Sequence, residues 1–159
     1  MTSWTEFSTA APDLAGRVQA LFDAHRHKLL ATLRRDGSPR ISGIEASVTD
    51  GELWLGMMPG SRKALDLRRD PRLALHSASM DPPDDPTTWA GDAKVAGRAI
   101  EVDDPALLAR LGAGDDAGTA HLFRVDLTEV VLTRVGDPAD HLVIELWQPG
   151  RAVRRLQRR

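Results

Sequence analysis

Gly60-Ser61-Arg62-Lys63-Ala64 is the stretch on which the reading of this chain turns. Before it, Glu52 to Met58 has the composition of a strand, and Pro59-Gly60 stops that strand. Ser61 is a competent N-cap. Arg62 to Arg69 then provides about two helical turns before Asp70-Pro71 ends them. A helix N-terminus presents unpaired N–H groups and a partial positive charge, so it attracts anions. Arg62 and Lys63 in the first turn oppose that dipole unless an anion sits between them. Lysine is also scarce, with Lys28, Lys63 and Lys94 the only three among 21 basic residues. Two readings follow: a solvated basic helix start, or a phosphate site.

Upstream of this element the period is that of strands. Leu29 to Leu33 is a short strand, Asp36-Gly37 is a hairpin signal, and Pro39 to Val48 is the returning strand. Gly43 interrupts that strand, a mark of a bulge or of close approach by a ligand. Asp50-Gly51 turns the chain into the third strand. Further back, Leu14, Val18, Leu21 and Phe22 form one stripe, which predicts an amphipathic helix over 13–25. His25 and His27 behind it have no metal-ligand spacing and read as surface residues. Residues 1–11 mix small and polar side chains with Trp4 and Phe7 and are expected to be flexible.

Downstream, Arg72 to Ala78 is a fourth strand, and the proline-rich 80–89 segment a loop. Ala93 to Val102 is a fifth strand, again interrupted by a glycine, Gly97. Asp104-Pro105 opens a short helix that Gly112 ends, and 112–118 reads as a flexible linker. His121 to Val135 alternates, with a bend expected at Thr128-Glu129, and Leu142 to Trp147 is a further strand. Residues 151–159 hold five arginines and read as a flexible basic tail. The whole predicts one α+β domain over 1–159, a barrel of about six to eight mainly antiparallel strands with a few short helices.

Composition narrows the function. The 159 residues carry a formal net charge of −2, which gives no support to nucleic-acid binding. Cysteine is absent, so disulfides, thiolate metal sites and cysteine nucleophiles are excluded. No apolar run reaches the ~20 residues of a membrane span, and no signal sequence is visible. A cytoplasmic protein without membrane or nucleic-acid partners is expected. Glu45 and Glu129 are isolated carboxylates, and no nucleophile triad or dinucleotide loop is present.

The order strand, Asp-Gly turn, strand, turn, strand, then Gly60-Ser61-Arg62-Lys63-Ala64 and Arg69-Asp70-Pro71-Arg72, resembles the pyridoxamine 5′-phosphate oxidase-like family over roughly residues 13–102. The resemblance implies a flavin-binding split β-barrel that is homodimeric. It implies FMN, or alternatively the deazaflavin coenzyme F-420, in clefts at the dimer interface. By the same resemblance Ser61, Arg62 and Lys63 hold the cofactor phosphate, and Met57 and Met58 end the strand beside the ring. The segment Ser42 to Ser47 would face the ring with its backbone. Enzymes that oxidise pyridoxamine phosphate carry an arginine and a lysine where Ser42 and Ser47 align, and a flavin-contacting glutamine where Asp92 aligns. The expected activity is therefore a flavin-dependent oxidoreductase on another small organic substrate. A non-catalytic flavin- or haem-binding protein is the alternative. No catalytic residue stands out; Trp54, Trp89 and Trp147 are candidates to pack beside the ring.

Overall fold

A computed structural model describes residues 1–111 and 119–159 of the chain; the segment expected as a linker, 112–118, lies outside the described residues. Its strands are β1 (His27–Leu33), β2 (Pro39–Thr49), β3 (Glu52–Met57), β4 (Arg72–His76), β5 (Asp92–Glu101), β6 (His121–Val135), β7 (Leu142–Trp147) and β8 (Arg154–Arg158). They lie in the order β3-β2-β1-β4-β5-β6-β7-β8, and β3 also pairs with β6. Six antiparallel strands therefore close a barrel, and β7 and β8 extend the sheet beyond it. This is the expected α+β split barrel.

The turns follow from their residues. Asp50 and Gly51 adopt φ of 52° and 74°, a mirror-image turn whose twist matches that of the strands it joins. Inward-facing apolar side chains alternate along each strand: Leu73 and Leu75 on β4, Ala93 and Val95 on β5. On β6 the side chains that face the barrel core are Phe123, Val125 and Leu127, then Val130 and Leu132, while Leu122 is buried in a second cluster with Trp54 and Leu108. The parity changes because Ala96 pairs with Glu129 while Gly97 pairs with Leu127, leaving Thr128 as an inserted residue. The bend expected at Thr128-Glu129 is this bulge. Gly97 sits opposite it, where a Cβ would collide with the Asp126 carbonyl.

Among the described residues four α-helices accompany the barrel: α1 (Trp4–Ala10), α2 (Pro12–Asp23), α3 (Arg62–Arg69) and α4 (Pro105–Leu111). The 80–89 loop contains one short 3-10 turn, Pro86–Thr88. Both ends, expected to be flexible, carry regular structure. Residues 1–11 hold α1, capped by a reciprocal Ser3–Glu6 pair. Its Phe7 is fully buried, with its ring 4.7 Å from Trp147 and 5.3 Å from Trp4. Burying two aromatic rings outweighs the weak helix propensity of a seven-residue segment. At the other end, residues 154–158 form β8 by pairing with β7. The α2 stripe of Leu14, Val18 and Phe22 joins the barrel interior, and Arg17 on its outer side forms a two-pronged bond to Glu145 of β7 at 2.6 and 2.8 Å.

Candidate functional site

The start of α3 is fixed by what its buried face does. Ala64 and Leu67 enter the core, and Asp66, 3% exposed, reaches β1 and β2. Its carboxylate accepts from Thr32 Oγ1 at 2.9 Å, Arg40 Nε at 2.7 Å and Arg69 Nη2 at 2.9 Å. Burial opposes ionisation of Asp66, but the Arg40 and Arg69 guanidinium groups and the Thr32 hydroxyl prevail and hold its carboxyl below the usual range. Gly60, at φ 67°, makes the turn into the helix, and its N–H donates to His121 Nε2 at 3.0 Å.

Ser61 occupies the N-cap position but makes no capping bond: its Oγ is buried and has no partner. The expected cap is corrected, and the consequence is chemical. Without that cap, the first-turn N–H groups of α3 lack a side-chain acceptor from Ser61.

Beside this helix start lies a cavity of about 780 Å³. Its lining includes β2 from Gly43 to Ser47, Trp54, Gly56 and Met57 of β3, and Met58 just after that strand. Lys63 enters it, with Nζ donating to the Gly43 carbonyl at 2.9 Å. A Cβ at Gly43 would meet no atom within 4 Å, so β2 is open to approach there. The far wall is the chain from His25 to Lys28.

The structure thus brings Lys63, Met57, Met58 and Ser47 around one space. It does not bring Arg62 with them. Arg62 borders a second cavity of about 460 Å³, which it shares with Arg34, Arg35, Arg40 and Arg69 against Asp36 and Asp66. Adjacent residues at a helix start project about 100° apart, which is why the pair diverges. Ser42 lies on the same inward side of β2 as Ile44 and lines neither cavity, whereas Ser47 lies on the opposite side. Of the three tryptophans considered for the ring, Trp54 borders the larger cavity. Trp147 is in the core, and Trp89 bonds to the Met80 carbonyl in the loop. The arginines of 151–159 line neither of these cavities; Arg158 and Arg159 border a hollow with His141.

Two features of the site were not foreseen. His25 and His27, read as surface residues, border the larger cavity, where Glu45 is held by Arg26 at 2.9 Å. Lys28 is 5% exposed, and its Nζ donates to the Arg26 carbonyl at 3.2 Å. Burial pushes its ammonium pKa down, partly offset by Asp23 and Glu45. The signal was present in the sequence: Lys28, Leu30 and Thr32 alternate as the inward side of one strand, provided β1 begins before Leu29. Among the described residues no group of three or more histidines and carboxylates gathers to hold a metal.

A family model described as pyridoxamine 5′-phosphate oxidase matches residues 14–134. The chain belongs to this family. Solved structures with the same fold include a conserved hypothetical protein from Mycobacterium tuberculosis, 23% identical, with 72% of this chain and 81% of that one covered at a TM-score of 0.57. An F-420 reductase is 21% identical over 70% of this chain and 94% of its own, at a TM-score of 0.53. The haem storage protein HutZ from Vibrio cholerae is 14% identical over 75% and 94%, at a TM-score of 0.55. Curated proteins give no match. At these identities the structural likeness carries the split barrel and not a reaction.

Proposed function

We propose that this member of the pyridoxamine 5′-phosphate oxidase family is a flavin-dependent oxidoreductase that binds FMN in the larger cavity and acts on a small organic substrate. The observation that carries the reading is the meeting of Lys63, the open β2 backbone at Gly43 and the apolar residues Trp54 and Met58 at one cavity of cofactor size. These groups fit a phosphate-bearing planar ring. Lys63 and the first-turn N–H groups of α3 offer charge-assisted donors to the phosphate. Met58 and Trp54 offer an apolar wall to the ring, whereas the Met57 side chain lies in the core, and the Ser47 side of β2 faces the ring. Bound FMN would supply the hydride chemistry. The residues of this chain hold and orient it and keep one face open to the substrate. Uncharged Ser42 and Ser47 argue against a phosphate-bearing vitamin B6 substrate.

The same reading makes the chain a homodimer. Across the outer side of the barrel, Ile41, Ala31, Ala74 and Ala96 lie in register on four successive strands. Ile41 is 72% exposed and Leu29, beside it, 45%. A row of small and apolar side chains on an exposed sheet face suits a second copy of this face.

F-420 is the second reading, favoured by the arginine-lined cavity on the other side of the α3 start. There Arg35 and Arg62 have no side-chain partner among the described residues, and Asp66 is already shared by two arginines. A deazaflavin with anionic groups beyond its first phosphate would use them.

The visible spectrum of the purified protein, with the mass of what denaturation releases, tests the proposal. A flavin band and FMN mass are expected. A haem Soret band without flavin would overturn it. Lys63→Ala should weaken FMN binding by about 10- to 100-fold, the value of one charged hydrogen bond. Arg62→Ala should weaken F-420 binding more than FMN binding. Unchanged FMN affinity in Lys63→Ala would refute the phosphate assignment.

A further inference from the structure

The turn that opens α3 is held by a side chain that neither cavity uses. His121 on β6 is 8% exposed, and its Nε2 accepts from the Gly60 N–H at 3.0 Å. Its Nδ1 lies 3.1 Å from Glu101 Oε1 on β5. Glu101 in turn accepts from Arg68 Nε and Nη2 at 2.8 and 2.6 Å. Arg68 belongs to the last turn of α3, so the brace runs from the end of the helix through β5 and β6 back to the residue before its start. Both ends of α3 are gripped by one chain of hydrogen bonds.

The arrangement fixes the proton. An imidazole nitrogen accepts from an N–H only when it carries no hydrogen, so Nε2 is bare and Nδ1–H donates to Glu101. We propose that His121 is a positioning residue for the phosphate end of the candidate cofactor site. In its neutral form it sets the Gly60 turn, and when its ring is protonated it lets that turn go. The inference rests on the reading of the α3 start as that site.

Among the described residues, the charged groups set against the ring are Glu101 and, behind it, Arg68; Phe123 stands 6.4 Å away, centroid to centroid. Protonation places its new charge at the Glu101 carboxylate, which offsets that charge at longer range. What the turn feels is the loss of its acceptor. Gly60 would then face a donor where it had an acceptor, and the first-turn N–H groups of α3 would lose their fixed direction.

The test uses two variants and two readouts. His121→Gln carries an amide oxygen that reaches the place of Nε2 and never charges; His121→Leu removes the acceptor. The Gly60 amide is followed by ¹⁵N NMR, and FMN affinity by fluorescence, as the pH is lowered stepwise from about 8. In the parent, the Gly60 amide should shift with the proton uptake of the ring, and FMN affinity should fall about five-fold, the worth of one net hydrogen bond. His121→Gln should keep the parent's high-pH affinity with a flat profile. His121→Leu should bind about five-fold more weakly at every pH. A Gly60 amide indifferent to the ring's titration would overturn the proposal. So would a His121→Gln profile that follows the parent's, a result readable even where His121→Leu fails to fold. A parent that binds no FMN at any pH would refute the flavin reading, and the Gly60 amide would then decide the role of His121 by itself.

Discussion

Replacing Asp66 with asparagine isolates the interaction that docks α3. The substitution keeps shape and one acceptor but removes the charge that Arg40 and Arg69 share at 2.7 and 2.9 Å. Each charge-assisted bond is worth ~1.5–3 kcal/mol, and breaking one side of a buried ion pair costs ~3–5 kcal/mol. Both arginines keep partial access to water, with side chains 25% and 34% exposed, and can turn outward when released. The expected loss is therefore about 3 kcal/mol, or roughly 6–12 °C in Tm for a domain of this size. The pH dependence has a definite sign. The Asp66 pKa is lowered in the folded chain, so its contribution is complete above the unfolded value of about 3.9 and is lost as pH falls through the folded value. Urea unfolding of parent and Asp66→Asn at pH 7 and again near pH 3 measures this, with the gap shrinking at the lower pH. A difference under ~0.5 kcal/mol at pH 7 would mean that α3 is held by Ala64 and Leu67 alone.

Other expectations follow from the same contacts. Phe7→Ala should cost about 3–4 kcal/mol by thermal unfolding, because it empties the space between Trp4 and Trp147; a neutral effect would make α1 dispensable. Lys28→Met should raise stability by about 1 kcal/mol, since it removes a buried ammonium without a carboxylate partner. The lowered folded pKa of Lys28 means that the parent gains stability as pH rises towards the unfolded value of about 10.4, and the variant should lack that rise. The parent should sediment as a homodimer with an interface above ~2,000 Å², and Ile41→Glu should sediment as a monomer. A parent found only at 17.3 kDa would refute the dimer.

The barrel was legible because its signals are local. The Asp36-Gly37 and Asp50-Gly51 turns mark two hairpins, and alternation marks the strands they join. Pro59-Gly60 and Asp70-Pro71 bracket α3, which forms over Arg62–Arg69 as read. What escaped depends on contacts distant in sequence. Helix α1 is held by Trp147, and β8 by β7, and neither partner shows in the local pattern. The site was half legible. Lys63, Met57 and Met58 meet at one cavity, but the divergence of Arg62 follows from side-chain direction, which a two-residue motif does not carry. The sequence pointed to Ser61 as a cap; it gave no hint that its hydroxyl would end up buried and unpartnered.

Strand β8 has a bearing on how copies of this chain meet. As the last strand of the eight-stranded sheet, it offers one rim of unpaired backbone groups to any extended segment nearby, the usual starting point of fibrous growth. Arg154, Arg155 and Arg158 stand on that strand, and Arg159 follows it. A second β8 arriving antiparallel would set guanidinium groups against guanidinium groups with no carboxylate of either strand between them. Such like-charge rows repel at contact distance, so association through this rim is opposed, while the exposed face around Ile41 carries no such row. The basic end of the chain thus has a physical consequence that requires no ligand: it closes the one direction in which the sheet would otherwise continue.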